Sequence, residues 1–274
     1  MAYVTEPKSL APDTDPHQGQ ADTDGLSHLR ALESEATPEE TIKDAMAAGM
    51  ALDTEAELVA GAGSETKTER SPNVRWQGSR LTRARRWRSL EQTGATVWFT
   101  GLPGSGKSTV ASAVEEHLVA GGRPAFLLDG DNLRHGLNGD LGFDDAARCE
   151  NVRRTAHVAR LLAESGMIAL VSLVSPYASD RQTAAELHLA EELCFLEVFV
   201  STPLERCEER DPKGLYARAR AGELEGLTGV GAPYETPLEP DLVLDTCSQS
   251  VGAEVERVLA LLAAQAHSEA YPRR

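Results

Sequence analysis

Apolar and polar positions fall into two regimes along this chain. Five short β-prone runs, Ala95–Thr100, Ala125–Leu128, Ile168–Val174, Phe195–Val200 and Leu242–Leu244, are separated by stretches with apolar residues at helical spacing. Those stretches run from about residue 109 to Val119, then over Ala146–Glu164, Asp180–Glu192, Pro203–Glu209 and Val251–Ala264. Strands alternating with helices predict an α/β fold, a parallel central sheet covered on both faces and so three layers deep. In the last helix Val255, Val258, Leu259, Leu261 and Leu262 share one face, which predicts packing against the sheet rather than against a partner.

The pattern weakens ahead of residue 94. Residues 1–36 are rich in Asp, Thr, Pro, Gly and Gln and nearly devoid of aromatic residues, too poor in apolar surface to offset the entropy of ordering. Thr37-Pro38-Glu39-Glu40 reads as a helix start, followed by Ile42, Ala45, Met46 and Met50 at helical spacing. Residues 71–93 carry six arginines against one glutamate, with Trp76 and Trp87 interleaved, and predict a basic lead-in helix. Three segments result: a largely disordered tail over 1–70 with one short helix, the lead-in over 71–93, and a domain over 94–274.

Charge narrows the function classes. The net charge is −16, with 15 acidic against 5 basic side chains in residues 1–70 and 27 against 16 beyond residue 93. An acidic body repels nucleic-acid backbones and disfavours a DNA- or RNA-binding role. No run approaches 18 uncharged apolar residues, so no membrane-spanning helix is expected. The acidic N-terminus lacks the apolar core of a signal peptide. Cys149, Cys194, Cys207 and Cys247 lie far apart with no C-x-x-C pair, which argues against a zinc site or a disulfide framework and for a cytoplasmic protein.

The chemistry begins just after the first strand. Gly101-x-x-x-x-Gly106-Lys107-Ser108 is the full phosphate-loop pattern, expected by chance in about one chain in two hundred of this composition, and it has a strand before it and a helix after. Its glycines let backbone N–H groups turn toward phosphate oxygens, and the helix that follows presents its positive end. Lys107 is expected to reach the β- and γ-phosphates, with the Ser108 hydroxyl as a ligand of Mg²⁺. Of five lysines only Lys107 and Lys213 lie beyond residue 70. After the second strand, Asp129-Gly-Asp131-Asn places two carboxylates where metal and attacking hydroxyl would meet. Arg148 and Asn151, three apart on a helix, share a face that can hold an anion.

With TVWFTGLPGSGKST, LLDGDNLRHGLNGDLGF, RCENVRR, SLVSPY and RDPKGLYARARAGELEGLTG in this order, the sequence resembles the adenosine 5′-phosphosulfate (APS) kinase family over roughly residues 94–246. The resemblance implies a P-loop NTPase fold with a mobile lid and ATP-dependent phosphorylation of the ribose 3′-hydroxyl of APS, giving PAPS and ADP. By the same resemblance Gly101, Gly104, Ser105, Gly106, Lys107, Ser108, Thr109 and Arg210 hold ATP, and Ser108 carries the metal. Asp131 is nearest the 3′-hydroxyl, supported by Asp129, with Lys107 and Ser175 completing the catalytic set. Arg134, Arg148 and Asn151 hold the phosphosulfate end, Phe143 stacks on the adenine, and Ser175 lies beside the substrate; Asp131, Lys213 and Leu227 also count among the substrate-binding residues, and Lys213 and the arginines at 218 and 220 belong to the lid. A homodimer and a sulfurylase partner are consistent with the family.

The sequence also departs from the family pattern. Leu227 stands where the lid-side Gly-Phe-Thr-Gly has its phenylalanine, which removes one aromatic face from the adenine sandwich. Gly231 replaces an aspartate usual just after that motif, and Ala147 replaces one before Arg148. Two rival readings follow: a P-loop kinase for another nucleotide-type substrate, and a non-catalytic nucleotide-binding module docking a sulfurylase. Intact Lys107, Ser108 and Asp131 weigh against the second.

Overall fold

The computed structural model describes residues 73, 75 and 77–268, with side chains as far as Gln265. The short helix expected from Thr37 lies outside the described residues. Five strands, β1 (Ala95–Thr100), β2 (Ala125–Asp129), β3 (Ile168–Ser172), β4 (Cys194–Val200) and β5 (Leu242–Leu244), form one parallel sheet in the order β2-β3-β1-β4-β5. The helices are α1 (Arg83–Ser89), α2 (Lys107–Ala120), α3 (Gly130–Leu133), α4 (Asp145–Ser165), α5 (Ala178–Leu189), α6 (Leu204–Arg210), α7 (Leu215–Arg220) and α8 (Val251–Ser268).

β1 sits at the centre because all six of its residues can be buried, and successive side chains point to opposite faces. Val97 and Phe99 join one core with Val110, Val114 and Leu118 of α2, Leu170, Val198, and Val258 and Leu262 of α8. Trp98 joins a second core on the other face, with Val152, Ala156 and Ala159 of α4, Val171 and Ala184 of α5. Small alanines on α4 let it lie close to the sheet. Closer still, Gly94 abuts the α4 backbone, and a Cβ there would collide with the Ala163 carbonyl.

The sheet's two edges differ. β5 is three residues long, whereas β2 presents a five-residue edge with Phe126 half-exposed. On that edge the Leu127 N–H donates to a Glu115 carboxylate oxygen of α2 at 2.7 Å.

The lead-in helix is shorter than the basic composition of 71–93 suggests. It starts where Thr82 caps the Arg85 N–H and ends at Ser89. Trp87 anchors it by donating its indole N–H to the Glu164 carbonyl of α4 at 3.2 Å. Arg83 and Arg86 pair with Glu191 and Glu164, so part of the basic stripe is spent on internal ion pairs. Among the described residues no helix is long and apolar enough to cross a membrane.

Candidate active site

Residues from the carboxyl ends of β1, β2 and β3 and from the α6–α7 segment converge on one cleft, at the end of a parallel sheet where ligands of such folds bind. Its floor is the turn between β1 and α2. Gly101 (φ 152°) and Gly106 (φ 102°) adopt conformations suited to glycine, and a Cβ at Gly101 would press on the Val200 carbonyl at 2.7 Å. Outside the turn, the Thr202 and Thr246 hydroxyls each donate to the Ser105 carbonyl at 2.8 Å. Lys107, the first residue of α2, folds over the loop and donates from Nζ to the carbonyls of Gly101 (3.0 Å) and Leu102 (2.8 Å). Burial lowers its pKa to about 8, a shift that the Asp129 charge partly offsets.

Beside Lys107 lies a cluster of three oxygens. Ser108 Oγ donates to Asp129 Oδ2 at 2.6 Å and lies 3.0 Å from Ser172 Oγ. The sheet sets this geometry, since Asp129 and Ser172 are register partners at the ends of β2 and β3. The other Asp129 oxygen accepts the Asp131 N–H at 3.0 Å, winding DGDN into the helical turn α3 rather than a plain loop. One carboxylate with two hydroxyls suits a hard cation that keeps its waters and leans on phosphate oxygens, as Mg²⁺ does. No cluster of three His, Cys, Asp or Glu that could form an all-protein cage occurs among the described residues.

Asp131 projects from α3 at the mouth of the cleft, more than half exposed, and forms an ion pair with Lys213 of the α6–α7 segment. That segment is a lid with its own small core. Tyr216, Cys207 and Leu227 are buried together, and Tyr216 donates its hydroxyl to the Pro103 carbonyl of the phosphate loop at 2.9 Å.

The opposite end of the cleft is cationic. The Arg134 guanidinium lies 4.1 Å from the centre of the Phe143 ring and donates to the carbonyls of Leu141 and Gly142, both at 3.0 Å. Phe143 is 65% exposed, leaving ring surface open. Arg148 is placed as a strut: it donates from Nε to the Phe143 carbonyl (2.8 Å), from Nη1 to Thr228 Oγ1 (3.0 Å) and from Nη2 to the Gly226 carbonyl (2.8 Å). It thereby ties the Phe143 loop to the far end of the lid. Asn151 Oδ1 accepts from Asn138 Nδ2 at 2.9 Å, which leaves the Asn151 amide nitrogen for the cleft.

Gly104, Lys107, Ser108, Asp129, Asp131, Arg134, Phe143, Arg148, Asn151, Ser175, Lys213 and Leu227 all line this cleft. Gly101, Ser105, Gly106 and Thr109 are not among its lining residues. Arg210 is also absent from the lining. It lies behind the loop, donating to Thr246 Oγ1 at 2.9 Å and the Thr246 carbonyl at 2.8 Å, which makes it a brace of the β5–α8 connection. Ser175 reaches the cleft, but its hydroxyl is engaged. Ser175 Oγ accepts from the Trp98 indole at 3.1 Å and donates to Thr100 Oγ1 at 3.0 Å. With its proton directed inward, the hydroxyl offers the cleft a lone pair rather than a donor. Thr100 Oγ1 in turn donates to the Val174 carbonyl at 2.8 Å, so the Tyr234 hydroxyl 3.0 Å away must be its donor. Trp98, Thr100 and Tyr234 stand behind this wall without lining the cleft, and only the packing, not their local sequence, joins them to it.

Residues 93–245, more than half of the chain, match the family described as Adenylylsulphate kinase. The Adenylyl-sulfate kinase of Clostridium acetobutylicum is 46% identical over 194 residues, covering 71% of this chain and 96% of that protein. The Bifunctional enzyme NodQ of Rhizobium sp. (strain N33) is 50% identical over 187 residues, covering 68% of this chain but only 29% of that longer protein. Among solved structures, the Mycobacterium tuberculosis APS kinase CysC in complex with AMPPNP and APS matches with a TM-score of 0.61 and 53% identity, over 63% of this chain and 99% of that one.

Proposed function

The chain belongs to the adenylylsulphate kinase family, and from that premise we propose that it transfers the γ-phosphoryl group of ATP to the ribose 3′-hydroxyl of APS, yielding PAPS and ADP. One observation supports this above the others. A single cleft joins a phosphate loop to a cationic, aromatic end, and Asp131 stands on the turn that leads from Asp129 of the first to Arg134 of the second.

Phosphoryl transfer of this kind asks for positioning and charge neutralisation more than covalent help. Gly104, Lys107 and Ser108 grip the ATP phosphates. Ser108 and Asp129, with Ser172 beside them, would hold Mg²⁺, which would supply charge neutralisation for the phosphates. Asn151 donates to the phosphosulfate, Arg134 adds positive charge, and Phe143 stacks on the adenine. Asp131 accepts a hydrogen bond from the 3′-hydroxyl and takes its proton as the new P–O bond forms and the bond to ADP breaks. For that step Lys213 must leave Asp131, and its ammonium then serves the transferring phosphoryl as the lid shuts out water.

A coupled assay with MgATP and APS, run beside other nucleotides with a free 3′-hydroxyl, tests the proposal. PAPS formation is the expected result. Turnover of another nucleotide with APS inert would show that Leu227 has redirected specificity. ATP binding with no turnover of any acceptor would favour a binding module.

A further inference from the structure

The wall of the cleft between β3 and α5 turns a strained corner. Ser175 has φ 39°, a left-handed conformation in a residue that is not glycine, and Pro176 follows it. Such strain persists only where surrounding contacts over-determine it. Here three consecutive carbonyls each meet a separate donor. The Val174 carbonyl accepts from Thr100 Oγ1 (2.8 Å), the Ser175 carbonyl from Arg181 Nη1 (2.7 Å) and the Pro176 carbonyl from the Glu235 N–H (2.8 Å).

Arg181 is the hub of this arrangement. It is 3% exposed on α5, where Glu186 by contrast lies exposed to solvent. Its Nε donates to Glu197 of β4 at 2.6 Å, and its Nη2 donates to the Glu235 carbonyl at 2.8 Å. Its guanidinium carbon lies 5.9 Å from the centre of the Tyr234 ring. One side chain therefore joins the corner to residues 234–235. These lie a few residues beyond Leu227 and Thr228, which line the cleft from the lid side. A guanidinium serves because it fans out donors in a fixed plane toward acceptors on three elements; an ammonium at the same place converges its donors on one atom.

We propose that Arg181 is a positioning residue for the acceptor nucleotide. It holds the Ser175–Pro176 corner at the setting dictated by the segment that ends the lid, and so fixes the width of the acceptor slot without touching either nucleotide. The proposal rests on the acceptor assignment given above, and it makes the acceptor side selectively sensitive, because the phosphate loop is braced separately by Thr202 and Thr246.

The test is Arg181→Lys in the full chain, which keeps the charge opposite Glu197 while removing the planar fork. KM for APS should rise about tenfold, as expected for a sub-ångström misplacement, and KM for ATP should stay within about twofold. Amide hydrogen exchange over residues 173–177 should quicken. Equal changes in both KM values, or unchanged APS KM and unchanged exchange, would overturn the proposal. If Arg181→Lys does not fold, Tyr234→Phe removes one strap of the same clamp: a roughly threefold rise in APS KM alone supports it, and no change refutes it. If the unsubstituted protein turns over no APS, the proposed function fails by itself. Exchange over 173–177 then decides the Arg181 proposal, faster in the variant supporting it and unchanged overturning it.

Discussion

Lys107 offers a sharp test because its two states differ in proton affinity. In the fold its ammonium is buried against loop carbonyls, and burial brings its pKa down to about 8 from 10.5. A polyphosphate beside Nζ favours the charged form and should return the pKa at least to the ordinary lysine value of about 10.4. Binding is then coupled to proton uptake between these two values. The sign follows directly: affinity is full where the free protein already carries the proton, below pH 8, and falls as pH rises through 8. Between pH 7.5 and 9 the protonated fraction of the free protein drops about eightfold, so Kd for MgATP should rise by about the same factor, worth about 1.3 kcal/mol. At pH 9 about 0.9 proton should be taken up per ATP bound. Isothermal titration in two buffers of different ionisation enthalpy reads both quantities. A flat Kd with no buffer-dependent heat at pH 9 would refute the reasoning, and Lys107→Met should show weak, pH-independent binding.

Three further expectations bear on other parts of the molecule. Leu227→Phe should restore a ring beside the base and tighten APS binding by about 1–3 kcal/mol, read as KM; an unchanged KM would place position 227 away from the base. Lys213→Ala breaks an exposed pair with Asp131, so the melting temperature should hold within about 2 °C while kcat falls about a hundredfold; a preserved kcat would remove Lys213 from the transfer step. Gly94→Ala forces a methyl into the Ala163 carbonyl of α4, where backbone cannot yield, and should cost about 3 kcal/mol or roughly 10 °C of melting temperature; a loss below about 3 °C would show that α4 can slide.

How much of this was legible in the chain itself depends on the range of the forces involved. β1 is Ala95–Thr100 as its run of β-prone residues indicates, and β5 likewise matches Leu242–Leu244. Ile168–Val174 overran β3 by two residues, because Leu173 and Val174 are apolar in order to line a cleft, not to extend a strand. The lead-in helix was overestimated because arginine content does not set helix length; the Thr82 cap does. Lys107, Ser108, Asp129 and Asp131 were legible because their chemistry is packed into two short motifs. Arg154 clamps Asp140 through two hydrogen bonds of 2.6 and 2.9 Å, a contact that its charged helical neighbourhood does not mark. Arg181 was invisible for the same reason. On a helix of mixed charge, nothing local separates an arginine bound for solvent from one bound for the interior, since the partners lie on β4 and beyond the lid.

The Glu115 carboxylate that covers the β2 edge bears on how the folded chain behaves in a crowd. An open sheet edge with a half-exposed phenylalanine invites a strand from a second molecule, the first step toward aggregation. Because Glu115 already takes the Leu127 N–H, an incoming strand would find a bonding position filled and a negative charge set against its carbonyl oxygens. A chain carrying Glu115→Ala would lose that guard while keeping its sheet, so its self-association should begin at this edge, before the parallel core gives way.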